Sequence, residues 1–287
     1  MVGARRFVLA TAFLTYAVGA SAQGGLPTSQ PNYLTIVREE VKLGRASEHE
    51  RIEAGWPAAY EKAKSPDYYL AFVSATGRPE AWYVAPFDSY KAIGESMKRE
   101  SDDAALAAEL KRLQRADADV LSNLTVIHAM ARKDLSMGAF PDLAKTRFVE
   151  ITIFRVRPGH DRGFEEAAKA WGSAAKRSAP DSSYRIYQVI AGMPGPTYLV
   201  FSSTQSFAEF DKTATDDAAV MKGATAEERA TLERVGKEGL VNVETQRFRV
   251  DPVMSYVSKE TRAADPAFWM PKKPAAAKPA AATGVQR

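Results

Sequence analysis

The chain has 287 residues, 45% hydrophobic and 26% charged, a globular composition, with no cysteine and a formal net charge of +4. The absence of cysteine excludes disulfides, thiol nucleophiles and thiolate-bound metals. Arg5 and Arg6 lie in residues 1–22, and Lys272, Lys273, Lys278 and Arg287 in 266–287, with no acid in either segment. The body between them is therefore net −2, without the basic excess that a nucleic-acid-binding face needs.

Residues 1–22 read as a secretory leader. Arg5-Arg6 precede an apolar run at 7–18, and Ala20-Ser21-Ala22 is an A-x-A cleavage signal that puts the mature start near Gln23. The run is too short to cross a bilayer, which needs about 20 apolar residues. The mature chain is expected to be periplasmic or secreted, without a membrane span. Residues 23–31 are a linker.

Residues 32–41 are β-branched and aromatic and predict a strand. They lead into "VKLGRASEHERIEAGW" at 41–56, and "VRPGHDRGFEEAAKAW" at 156–171 repeats its frame. Gly44 and Gly159, like Trp56 and Trp171, stand 115 positions apart, and at this spacing Leu34 meets Val149 and Ile36 meets Ile151. Further on the spacing drifts, to 116 between Trp82 and Tyr198 and 119 between Asn123 and Asn242, as small loop insertions would produce. Two copies of so long a unit indicate a duplication rather than a solenoid.

Each glycine ends a strand, and a helix follows with Ile52, Trp56, Ala59 and Ala63 on one stripe, or Phe164, Ala167, Trp171 and Ala175 in the second copy. Pro57 is expected to kink the first helix. Next come paired strands, 68–74 with 81–85, then 184–190 with 197–202. The second helical regions include 102–119 and 226–239; Thr225 with Glu228 forms a capping box. Strands 124–132 and 243–250 close the units.

The order β-α-β-β-α-β, written twice, is the ferredoxin-like unit and gives an α+β protein. Repeat 1 covers 32–135 and repeat 2 covers 147–258, joined by a linker at 136–146. The unit leaves one sheet face bare, and the two sheets are expected to pack face to face. Leu34, Ile36, Val149, Ile151 and Ile153 would meet the helices. Glu39 and Glu150, on the mixed side with Phe154, would lie at the barrel rim beside Arg38, Arg247 or Arg249. From 259 the chain becomes a Pro/Ala/Lys-rich tail, expected to be largely disordered, with Phe268 and Trp269 as its last anchor.

On the duplicated order and the strand–Gly–helix–Trp segments, the sequence resembles the dimeric α/β-barrel superfamily, in particular tandem members of the type that includes antibiotic-biosynthesis monooxygenases and stress-responsive barrel proteins. The resemblance spans about 32–251 and includes no catalytic signature. It implies a small-molecule site between helix and sheet, and as an alternative a cofactor-independent monooxygenase or a haem-binding or haem-degrading enzyme that holds its group through a His.

The ligand-pocket candidates are Trp56, Trp171, His128 and Arg247, which aligns with His128 in the second copy. His49 and His160 are expected to be solvated in first helical turns, and no H-x-H or H-E-x-x-H spacing marks a metal site. Phosphate loops and nucleophile elbows are absent. The main expectation is an exported protein that binds a small apolar or aromatic ligand, with no nucleic-acid partner and no cofactor, as a monomer or weak homodimer; the sequence leaves open whether it is an enzyme.

Overall fold

A computed structural model describes residues 25–271. The predicted leader and residues 272–287 of the tail, with Lys272, Lys273, Lys278 and Arg287, lie outside the described residues. The elements run β1 (Tyr33–Val41), α1 (Ala46–Glu53), α2 (Gly55–Ala63), β2 (Tyr69–Ser74), β3 (Glu80–Phe87), α3 (Tyr90–Asp102), α4 (Ala104–Ala118) and β4 (Leu121–Ala131). Then follow β5 (Phe148–Val156), α5 (Asp161–Ser178), β6 (Arg185–Ala191), β7 (Thr197–Thr204), α6 (Glu209–Gly223), α7 (Ala226–Arg234), a π-turn (Val235–Gly239) and β8 (Leu240–Tyr256). Two short helices, α8 (Lys259–Ala264) and α9 (Pro266–Trp269), complete the described chain. Among the described residues no helix is long and apolar enough to cross a membrane.

Local chemistry explains several boundaries. Gly44 (φ +78°) and Gly159 (φ +84°) both hold the left-handed conformation after their strands, with free space where a Cβ would sit, so backbone strain and not crowding selects glycine. The Thr225–Glu228 capping box forms as expected. The first helix is not merely kinked: it breaks at Ala54 into α1 and α2, and Pro57 falls in the first turn of α2, where its missing N–H costs little.

The strands close into one eight-stranded antiparallel barrel in the order β1-β3-β2-β8-β5-β7-β6-β4. Each half has the ferredoxin-like order, with β1 or β5 between its own third and fourth strands. The sheets do not lie face to face as two separate layers. They join at their edges, β2 to β8 and β4 to β6, which leaves the barrel no free edge. The same irregularity recurs in both halves: β1 and β4 shift register between Glu40 and Val41, β5 and β8 between Arg155 and Val156.

Closure decides which face is dry, and it reverses the sequence expectation. Leu34, Ile36, Val149, Ile151 and Ile153 point into the barrel, packed with Trp82, Leu199 and Phe248, not toward the helices. The inside of a closed barrel excludes water along its whole length, so it takes the most apolar set. The mixed set, including Glu39 and Phe154, faces outward beneath the helices. The pairing of Trp82 with Tyr198 is also corrected. Arg38 opposes Trp82 and Ile153 opposes Leu199, so Leu199 is the counterpart of Trp82, and Tyr198 lies outside the barrel.

One barrel end is closed by a polar network. Arg38 donates to both Glu80 carboxylate oxygens (2.9 and 2.7 Å), and the Trp82 indole N–H donates to Glu80 Oε2 (3.0 Å). At the other end the last helices fold over the barrel. Trp269 is 4% exposed within the interior cluster and donates to the Ala144 carbonyl (3.0 Å). Arg147 pairs with Asp265 and lies 3.8 Å over the Phe268 ring, so the predicted aromatic anchor does dock.

Candidate functional site

The barrel end near Trp269 holds a partly open pocket with an internal volume of about 80 Å³. Period-two alternation turns Leu34, Leu70, Phe72, Val84, Val149 and Phe201 inward from β1, β2, β3, β5 and β7 to form its walls. The segment Leu26–Pro31 and the loop Phe140–Leu143 roof it. Tyr187 adds a hydroxyl and packs edge-on against Phe201, ring centroids 5.7 Å apart; burial pushes its phenol up from the ordinary value.

Arg185 reaches the same mouth, but its guanidinium is already committed. It donates to the carbonyls of Tyr184 (2.7 Å), Gly138 (2.8 Å) and Met137, and so fixes the roof loop. Burial pulls its pKa down from the usual value. The lining contains neither carboxylate nor imidazole. The arrangement suits capture of an apolar or aromatic body with one or two hydrogen bonds.

The four sequence candidates are not brought together and none lines this pocket. Trp56 and Trp171 pack half-buried outside the barrel, in separate helix–sheet clusters. His128 and Arg247 are register equivalents, opposite Thr35 and Glu150, which supports their alignment. Both project outward. His128 lies edge-on to Tyr90 at 5.6 Å, and Arg247 pairs with Glu150 (2.8 Å) over the Phe210 ring. A haem held in the pocket through a histidine does not fit, because no histidine lines it.

A second constellation lies outside the barrel, between β1 and the helices of the first half. Glu39 projects from β1. His49 and Glu53 stand one turn apart on α1 and face it, and Asp117 closes the group from the end of α4. All four are buried, at 4%, 4%, 3% and 3% exposure. His49 Nε2 hydrogen-bonds Glu39 Oε2 at 2.8 Å, and the Trp56 indole donates to Asp117 Oδ2 at 3.3 Å. Glu53 Oε1 and Asp117 Oδ1 are buried without a hydrogen-bond partner.

Desolvation, reinforced by the charges of Glu39 and Asp117, pushes the Glu53 carboxyl up to about 10. Desolvation also raises Glu39, against the opposing effect of His49, and raises Asp117. Glu53 therefore holds its proton at neutral pH, which avoids burying a third unpaired charge.

His49 is thus not solvated as expected, whereas His160 is exposed. Glu39 pairs with His49, not with an arginine at the rim. The sequence signal for this cluster was the i,i+4 pair in "HERIE", which puts His49 and Glu53 on one helical face. A search restricted to His-His spacings passes over it.

No family model and no curated protein matches the sequence. Among solved structures, a candidate monooxygenase of Fusobacterium nucleatum is similar at 12% identity and TM-score 0.53, over 77% of this chain and 93% of that one. An anthrone oxidase-like protein is similar at 11% identity and TM-score 0.52, over 79% and 94%. At these identities the likeness shows the fold: the chain has the dimeric α/β-barrel architecture that the repeat implied.

Proposed function

We propose that the protein binds a small, largely apolar or aromatic molecule in the barrel mouth. The apolar, partly open pocket roofed by Leu26–Pro31 and Phe140–Leu143 carries this reading. Anthrone, a flat tricyclic ketone, is a suitable probe. Val84→Phe, placed on the pocket wall, is expected to weaken its binding at least ~10-fold, the equivalent of about 1.4 kcal/mol, with an unchanged circular dichroism spectrum. Titration of both proteins with anthrone checks it; equal affinity sinks the assignment.

Cofactor-independent oxygenation is the second reading. It is supported by the fold shared with the candidate monooxygenase and the anthrone oxidase-like protein. The structural likenesses favour oxygenation over simple binding, whereas the pocket lining, with no carboxylate or imidazole to take a substrate proton, favours binding. Dioxygen uptake with anthrone, above the rate without protein, tests the oxygenation.

We also read the two halves as tandem copies of one unit. Their common strand order and their matching register shift support this. Export completes the reading: Edman sequencing of the protein from a secreting host is expected to begin at Gln23, and an intact Met1 would remove it.

A further inference from the structure

We propose that Glu39, His49 and Glu53 bind one divalent first-row transition-metal ion, with zinc as the test case, in a closed site beneath α1. The inference is independent of the barrel-mouth pocket.

Three observations carry it. One imidazole nitrogen and two carboxylate oxygens already lie within 4.8 Å of one another, all on buried residues. Zinc bonds such donors at ~2.0–2.2 Å, so side-chain movements of the order of 1 Å would bring them into coordination. Second, Glu53 is 3% exposed and its Oε1 has no partner. A buried carboxylate oxygen without a protein partner needs an explanation, and this carboxylate lies within reach of an imidazole–carboxylate pair.

Third, the molecule contains its own comparison. At the same 115-residue spacing, the second half has Phe154 for Glu39, Phe164 for His49 and Ala168 for Glu53. There the aromatic rings pack together, Phe154 tilted against Phe164 at 5.4 Å and Phe164 stacked on Tyr198 at 4.2 Å. The fold therefore fills this helix–sheet space with carbon where nothing else is asked of it. The first half instead buries ionisable groups at a desolvation cost that a cation would offset.

The donor chemistry selects the ion class. Mg²⁺ and Ca²⁺ prefer all-oxygen sets, whereas an imidazole with carboxylates suits zinc, iron or manganese. Asp117 stands outside this three-ligand group, with Oδ1 unpartnered and its other oxygen held by the Trp56 indole. The chain segments outside the described residues contain no His, Cys, Asp or Glu to compete.

The test uses the full chain expressed with supplementary zinc, desalted, and assayed by inductively coupled plasma mass spectrometry. One zinc per chain is expected, with a melting temperature several degrees lower after chelation. Glu53→Gln keeps the side-chain shape and is expected to retain less than a tenth of the zinc and lose the chelator response, with affinity down at least ~100-fold. His160→Ala, distant and exposed, should keep the full zinc content. A wild-type chain free of zinc, iron and manganese overturns the proposal and leaves a proton on Glu53 as the resident cation. Undiminished zinc in Glu53→Gln overturns it equally, since the ion then sits elsewhere.

Discussion

Trp82→Ala is expected to lower the stability of the protein by about 3–5 kcal/mol, as large-to-small changes of buried aromatics do. The indole is fully buried inside the barrel against Phe248, ring centroids 5.6 Å apart, so its removal opens a void among side chains held by closed strands. The loss goes beyond volume. Arg38 lies 5.1 Å over the same ring, and the indole N–H supplies a hydrogen bond to Glu80, whose side chain is inaccessible to solvent. Against a typical total of about 5–15 kcal/mol, the substitution takes a large share of what holds the fold. Urea unfolding followed by tryptophan fluorescence and circular dichroism checks it. A cost below about 1 kcal/mol would mean that the barrel interior is not packed as described.

Glu53→Gln is expected to weaken the pH response of the protein freed of metal by a chelator. The sign follows from linkage. The folded-state pKa of Glu53 is raised to about 10, so above the ordinary carboxylate range the native state binds one more proton than the unfolded chain. That contribution is fully present below the unfolded pKa and is lost as pH rises toward the folded value. Stability should therefore fall by up to about 1 kcal/mol per pH unit between roughly pH 5 and pH 9. The raised carboxyls of Glu39 and Asp117 act in the same direction. Glutamine preserves the donor that protonated Glu53 offers its neighbours and has no proton to lose. Near pH 5 the variant should match the wild type, and at pH 8 it should be more stable by several kcal/mol. The groups facing position 53 are Glu39, His49, Asp117 and Tyr83, and the raised carboxyls of Glu39 and Asp117 bound the effect because they share the cluster's charge. Chemical denaturation at pH 5 and pH 8 checks it; parallel pH profiles for the two proteins would sink it.

The fold was legible in the sequence to a considerable depth. The Gly44/Gly159 and Trp56/Trp171 spacings located two strand–turn–helix openings, and both occur at the same relative place. The capping box at Thr225 formed. The candidate site was much less legible. His49 sits in a run of Ser, Glu and Arg and reads as a solvated first-turn residue, yet α1 turns it inward onto Glu39. The barrel-mouth pocket was invisible, because its walls come from six strands and its roof from a linker and the segment Leu26–Pro31, which no local pattern connects. His128 shows the converse. Its neighbours Leu124 and Val126 suggest a buried face, but they are 51% and 47% exposed.

By itself the sequence determined the order of the strands and of the first helix in each half, and the sorting of the two first strands into an apolar and a mixed set; α3, α6 and the closing helices α8 and α9 lay outside its predicted elements. That order and that sorting are local properties: backbone dihedral preferences, capping and the two-residue period of a strand. Only the tertiary structure decided which set faces inward. Alternation separates two faces but does not say which of them will be sealed from water, and pairing β2 with β8 and β4 with β6 sealed the apolar one. The same closure turned Glu39 out of the barrel and under α1, into the one helix–sheet space where His49 and Glu53 were waiting for it.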